Sequence, residues 1–461
     1  MLNVSILGAS GYVGGELMRL IAGHPGLAVA VAFGASAAGK PVSALHPHLA
    51  LAYPDRMFEA WDAGLLAGSD LILAALPHGE TQRLADDLLA PGVPLVDLGA
   101  DFRLETAADY ERWYGEPHAR PDLVGSFAYG LPEFFRDAIR GSKRVAAPGC
   151  YPTAANLVLR PLIEAGVVEA QGIVVDAASG VSGAGRAAAA GTHYCGVEGN
   201  MRAYGLLNHR HTAEMEMVSG AQVLFTPHLV PMSRGILATC YAKATGPCDP
   251  LAILAKAYAN ERFVHVGESP PETKWATGSN AAFLTARYDE RTGTVVALAA
   301  IDNLGKGAAG QMIQCANLML GVDDDALAFD RSRLDQRVQC QARGCRVATR
   351  RGDALRAPDL VAEELREAVG KAGQEVGPCV GLAVPALKLG GAVEAEVCAE
   401  VDEGNAGRKK LIGQPLGFAM GQGGEDQVAA IEERGIPGCE DGIGIGEGKV
   451  GVDRSHRLTR I

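Results

Sequence analysis

The chain opens with a short apolar run, LNVSILG, that leads straight into Gly8-Ala9-Ser10-Gly11-Tyr12-Val13-Gly14 and then into GELMRLIAGHP, which reads as a helix ended by Gly23 and Pro25. A strand, a glycine turn and a helix in that order form a cradle for a dinucleotide. The glycines let the backbone approach a pyrophosphate, whose charge rests on the helix N-terminus. The spacing Gly-x-x-Gly-x-x-Gly is a variant of the commoner fingerprint, and its place at the end of the first strand gives it weight. The bland alternative is a tight turn whose glycines serve packing only. Gly8, Ser10, Gly11, Tyr12, Val13 and Gly14 are the candidate cofactor-binding residues.

Further apolar runs follow at 27–34, 70–77 and 93–99, separated by amphipathic stretches. Short apolar strands alternating with helices predict a parallel sheet covered on both faces. After residue 165 the strands lengthen and become more polar: QGIVVDAAS, QVLFTPHLV, GILATCYAKA, AAFLTARYD and TVVALAAI. That run predicts a mostly antiparallel second domain. The fold class is therefore α/β, a Rossmann-type dinucleotide-binding domain (1–148) followed by an α+β catalytic and dimerisation domain (149–302). A closing helix at 303–321 returns to the first domain.

Composition changes beyond residue 325. Residues 326–461 hold no Trp or Tyr, and Phe329 and Phe418 are their only aromatics. A core draws much of its buried area from aromatics, so this Gly-rich tail is expected to be disordered, apart from a helix at about 359–370. Cys340, Cys345, Cys379, Cys398 and Cys439 lack metal-site spacing. The whole chain has 461 residues with 42 Lys and Arg against 54 Asp and Glu, a net charge of −12. No basic domain or stripe suits a nucleic acid, and no apolar run approaches the roughly 18 residues of a membrane span. The first cationic side chain is Arg19, which does not fit a secretory leader, and ten cysteines are too sparse for a disulfide scaffold. These features point to a cytoplasmic enzyme.

The second strand ends at Phe33-Gly34-Ala35-Ser36 with no acidic residue at its tip. A carboxylate there would hold a ribose 2′-hydroxyl and repel a 2′-phosphate. Its absence, with Ser36 and Lys40 nearby, favours NADP, although Lys40 reads equally well as a solvated surface charge.

The segment VAAPGCYPTAANLVLRPL places Cys150 between Gly149 and a helix that starts around Pro152-Thr153. Pro suits a first helical turn, and a cysteine there sees the positive end of the helix dipole, which lowers its pKa and favours thiolate. Cys240, Cys248 and Cys315 have no such context and read as inert thiols. A thiol nucleophile needs a proton acceptor, and the candidates are His209 and His211, with Glu214 on the same helical face as His211. Two His and a Glu also allow a metal, but no further ligand spacing supports one, so none is expected. Arg103, Arg186 and Arg234 are candidate anion-binding residues, since Arg grips phosphate or carboxylate in bidentate fashion.

Taken together, APGCYPT, SGVSGAGR, HRHTAE, YGLPE and IDNLGKGAAGQ resemble the N-acetyl-gamma-glutamyl-phosphate reductases, arginine-pathway enzymes related to aspartate-semialdehyde dehydrogenase. The resemblance covers about residues 2–321. Ala213 stands where the family usually has Pro, and Gly99 where Ser is common. The tail is the large departure. The resemblance implies NADPH-dependent reduction of an acyl phosphate through a thioester on Cys150, with proton transfer by His211 or His209. It places Asn303 at the nicotinamide carboxamide and suggests a homo-oligomer, a tetramer or dimer. A carrier-linked aminoadipyl phosphate is the rival substrate, and a catalytically silent nucleotide-binding protein is the rival class.

Overall fold

The computed structural model describes residues 1–322 throughout, and beyond them the backbone of six short strands between Gly381 and Ala419. The first of two units, Met1–Arg337, carries two sheets. In the first lie β1 (Leu2–Leu7), β2 (Leu27–Phe33), β3 (Leu71–Ala74), β4 (Leu95–Asp97), β5 (Ala128–Tyr129) and β6 (Arg144–Ala146), all parallel in the order β2-β1-β3-β4-β6-β5. Strand periodicity explains how both faces are buried. Along β3, Leu71 and Leu73 enter one core with Val4, Ile6, Leu17 and Met18, while Ile72 and Ala74 enter the other with Leu7, Phe33 and Phe102. The closing helix Gly310–Met319 packs into the first of these cores through Met312, Ile313 and Ala316.

The second sheet contains β7 (Ile173–Ser179), β8 (Arg202–Ala203), β9 (Val223–Leu229), β10 (Ile236–Lys243), β11 (Val264–Val266), β12 (Ala282–Asp289) and β13 (Thr294–Ile301), in the order β11-β12-β13-β10-β7-β9-β8. Four of its pairings are antiparallel, and β7–β9 and β11–β12 are parallel. Here alternation leaves one face covered and one open. Ile173, Val175 and Ala177 of β7 pack with Ala154, Leu157 and Val158 of helix Cys150–Glu164, whereas Leu224 of β9 and Tyr241 of β10 are exposed on the strands' other side.

The five longer strands of this sheet follow the expected runs closely. The sequence reading does not include β5, β6, β8 or β11, strands of two or three residues with too little periodicity of their own; β4, equally short, lies inside the longer apolar run 93–99. Helix Cys150–Glu164 begins at Cys150 itself, two residues earlier than expected, with Gly149 extended as its N-cap. In the second unit, Val338–Ile461, the six strands pair antiparallel as two three-stranded sheets. The expected helix at 359–370 lies outside the described residues, and so, those strands apart, does the expectation of disorder.

Candidate active site

The glycine turn has the form a dinucleotide needs. Gly8 adopts φ +72°, and a Cβ there would collide with the carbonyl oxygen of Ala75, just past the end of β3. A Cβ on Gly14 would strike Gly8 and Ala9. Helix Tyr12–Ala22 starts at Gly11 with no side-chain cap, so its first N–H groups are free to face an anion. Ser10 Oγ donates to the Gly34 carbonyl at 3.1 Å and ties the turn to the tip of β2. Ser36 and Lys40 are exposed just past that tip, in the turn that Ala35 opens with φ +43°. Val13 is half-buried, and Tyr12 projects outward beneath the Arg186 guanidinium at 4.9 Å.

Tyr12, Arg186 and Arg234 meet on a cavity of about 560 Å³, whose wall also includes Ser182, His193 and Ser233. Arg186 reaches Leu45 O at 3.5 Å and His46 Nδ1 at 3.3 Å. Arg234 is more tightly committed: it binds Glu16 at 2.8 Å and Asp302 at 2.9 Å. Its guanidinium thus braces the first helix against the end of β13, which is not what its proposed anion-binding role anticipates. Asn303 is buried; its amide oxygen accepts from Gly235 N–H at 2.7 Å and its amide nitrogen donates to Ser182 Oγ at 2.9 Å. It therefore holds the 181–185 loop at the cavity edge.

Cys150 and the histidine segment meet at a second cluster. The His211 ring lies so close to Gly149 that any Cβ at that position would overlap it. Glu214, fully buried, organises the surroundings. Its Oε2 accepts from Gly149 N–H at 2.9 Å and from Tyr129 O–H at 3.0 Å, and its Oε1 accepts from Arg103 Nη1 at 2.9 Å. His211 Nε2 is 4.0 Å from Glu214 Oε1, on the same helical face but beyond hydrogen-bond reach. Glu214 therefore orients the Cys150 turn and Arg103 rather than the His211 ring. Arg103, expected as an anion grip, is spent on Glu214 and on the Leu98 carbonyl at 2.6 Å, although its Nε has no partner.

Burial decides the protonation states. It pushes the Cys150 thiol up to about 11, opposed by the Arg103 charge and by the backbone N–H groups of Tyr151 and Cys150. The expected resting thiolate gives way to a thiol, because desolvation outweighs the helix terminus. Burial also holds His211 well below the usual imidazole range, assisted by His209, Arg103 and Arg210, so it is a neutral base. Desolvation likewise lowers His209 to about 4, helped by Arg210. His209 Nδ1 accepts from His211 N–H at 3.2 Å, and its ring lies among Tyr151, Tyr204 and Phe225. Cys240 and Cys315 are buried in the cores with raised pKa values, as inert thiols should be. Among the described residues no group of His, Cys, Asp and Glu is arranged to hold a metal.

Sequence reasoning missed two participants. Tyr129 sits in YGLPE, whose motif was noticed without a role for its phenol, and Gly149 looked like part of a turn rather than the platform for an imidazole.

Residues 3–142 match the semialdehyde dehydrogenase NAD-binding domain and residues 150–303 the semialdehyde dehydrogenase dimerisation domain. The N-acetyl-gamma-glutamyl-phosphate reductase of Symbiobacterium thermophilum is 47% identical over 336 residues, 70% of this chain and 96% of the relative. That of Ectopseudomonas mendocina is 43% identical over 333 residues, again 70% of this chain and 97% of the relative. Among solved structures, an aspartate semialdehyde dehydrogenase with NADP from Candida albicans superposes with a TM-score of 0.54 at 15% identity, covering 71% of this chain and 99% of that one. Aspartate semialdehyde dehydrogenase II of Vibrio cholerae gives 0.52 at 18% identity, over 70% of this chain and 98% of that one. At such identities these two show a shared fold.

Proposed function

The chain belongs to the N-acetyl-gamma-glutamyl-phosphate reductases, and from that membership we propose that it reduces N-acetyl-L-glutamyl 5-phosphate to N-acetyl-L-glutamate 5-semialdehyde with release of phosphate, in arginine biosynthesis. The cofactor is NADP, held by the Gly8–Gly14 turn with Ser36 and Lys40 toward its 2′-phosphate. When bound, NADPH supplies the hydride.

The chemistry of the site follows from its protonation states. Hydride addition to a carboxylate is prohibitive, whereas an acyl phosphate has a good leaving group. Neutral His211 takes the proton from the Cys150 thiol as sulfur attacks the acyl carbon. The carbon–oxygen bond to phosphate breaks and a thioester remains on Cys150. After reduction, the thiohemiacetal oxyanion lies against backbone N–H groups at the start of the helix. It collapses to the aldehyde, and the departing sulfur recovers its proton from His211. Glu214 touches none of these atoms; it positions Gly149, and thereby Cys150, while compensating Arg103.

The observation that carries this reading is the Glu214 hub, which brings the cysteine turn and the histidine helix together in one buried cluster. The substrate is a small acyl phosphate, and the open face of the second sheet, with Leu224 and Tyr241 exposed, suits a homodimer or a tetramer built from dimers. No helix among the described residues is long and apolar enough to cross a membrane, and we place the enzyme in the cytoplasm. The test is phosphate-dependent NADPH formation from N-acetylglutamate semialdehyde and NADP. No turnover in that assay would refute the reading.

A further inference from the structure

Against Cys150 the chain passes through a π-helical turn, Gly305–Ala309. The glycines in and next to this turn are packed too tightly for side chains. A Cβ on Gly305 would collide with Ser279 O and one on Gly310 with Asn280 Oδ1, while a Cβ on Gly307 would lie 2.7 Å from Cys150 Cβ. Gly307 is therefore the floor on which the nucleophile's own Cβ rests.

In the middle of that glycine run stands Lys306, whose ammonium points into the protein. Its side chain and that of Glu133 are both fully buried, with Nζ 2.5 Å from Glu133 Oε1. Nζ also donates to Gln314 Oε1 at 2.9 Å, and the same oxygen accepts from Asn280 Nδ2 at 2.9 Å. Three segments are pinned at one point: helix Pro132–Arg140 through Glu133, the closing helix through Gln314, and the loop before β12 through Asn280.

A buried ion pair is an expensive way to hold a core together. Desolvating both ions cancels much of their attraction, and well-packed apolar replacements are often as stable. What such a pair supplies is a fixed geometry, since neither charge tolerates displacement from the other. We infer that the Lys306–Glu133 pair is a positioning device for the nucleophile: it locks the π-helical turn in the register that presses Gly307 against Cys150 and sets where the sulfur stands relative to the acyl carbon. This rests on Cys150 being the nucleophile of the proposed reaction. Lys306 is a positioning residue here, because it touches neither sulfur nor substrate.

The decisive protein is the full-length double variant Lys306→Met with Glu133→Leu, which removes both charges and keeps the volume apolar. The expected result is a thermal transition within a few degrees of the parent and an NADP Kd within twofold. Alongside these, kcat should fall about 10- to 100-fold, as misplacing a reacting group by about 1 Å does, with the KM for acyl phosphate changing less than threefold. Iodoacetamide alkylation of Cys150, which needs no substrate, should change at least fivefold. A folded double variant with kcat and alkylation both within threefold of the parent overturns the inference. If the double variant does not fold, Gly307→Ala decides, because it leaves the pair intact and presses directly on Cys150. An unaltered kcat in that protein overturns the inference, and a loss of kcat with NADP binding preserved supports it. A parent that alkylates at Cys150 but never turns over acyl phosphate would instead refute the proposed reaction. The alkylation comparison would still report on the position of Cys150.

Discussion

The carboxylate of Glu214 and the backbone N–H of Gly149 are hydrogen-bonded at 2.9 Å across 65 residues of sequence. Through this one bond the helix that carries His211 fixes the turn that presents Cys150. The same carboxylate neutralises Arg103, whose side chain is only 6% exposed. Glu214→Ala would leave that guanidinium buried without its counter-charge, a change that costs about 3–5 kcal/mol. Chemical denaturation should show a loss of that order. A loss below ~1 kcal/mol would mean that water reaches Arg103 and that the hub is looser than the distances imply.

Cys150→Ser should abolish reduction while leaving NADPH binding intact, since an alcohol at that position cannot replace a thiol whose proton His211 removes. Retention of a tenth of the parent activity would sink the thioester route. The resting form of the thiol has its own signature. With burial holding its pKa up to about 11, the thiolate fraction of the free protein falls about tenfold for each pH unit below that value. The rate of iodoacetamide alkylation should therefore climb without a plateau between about pH 6 and 9. A plateau near neutrality would restore the low-pKa thiolate that a helix N-terminus alone suggests.

His211 and His209 should separate cleanly. His211 abuts Gly149, whereas His209 is enclosed by aromatic rings and accepts the His211 backbone N–H. Replacing a general base typically costs 10²–10⁴-fold. His211→Asn should lose turnover in that range, and His209→Asn should lose less, mainly through the placement of its neighbour. The opposite order, measured as kcat, would transfer the proton-transfer role to His209.

Cofactor preference follows from the tip of β2, where no carboxylate stands to exclude a 2′-phosphate. NADPH should give the higher kcat/KM, and Lys40→Ala should narrow the gap because Lys40 lies exposed beside that tip. Equal or better kcat/KM with NADH would defeat the argument. A preference untouched by Lys40→Ala would leave Ser36 and the backbone as its source.

Much of this architecture was legible in the order of residues, and the reasons are physical. Strands of six to eight residues such as β1, β10 and β13 carry a full period of alternation, and the glycine turn announces itself because Gly8 must adopt a positive φ. The chemical residues Cys150, His209 and His211 were visible because their types and local contexts are rare. What stayed hidden was pairing over long sequence distances. Arg103 looked like a free anion grip because its partner stands 111 residues away. The carboxylate partners of Arg234 were hidden for the same reason, lying 218 and 68 residues away. The Cys150 pKa was misjudged because a sequence shows a helix terminus but not the burial that outweighs it. Lys306 gave no signal at all, since a lysine in a glycine-rich stretch reads as solvated until the fold closes around it.

The tail can be tested by removing it. The reductases of Symbiobacterium thermophilum and Ectopseudomonas mendocina are matched over 96% and 97% of their lengths by 70% of this chain. Among the described residues, the four apolar cores end with Leu318 of the closing helix, apart from Met319 and Leu320 at their margin. Residues 326–461 offer only two aromatic side chains, Phe329 and Phe418, where a core draws much of its buried area from aromatics to offset the entropy of ordering. Truncation after Asp325 should therefore leave turnover within twofold and the thermal transition within a few degrees of the full chain. Limited proteolysis of the full chain should trim it from the C-terminal side before it cuts within residues 1–322. A truncated protein that does not fold, or slow amide exchange across residues 380–450 in the full chain, would show instead that the tail packs as part of the structure.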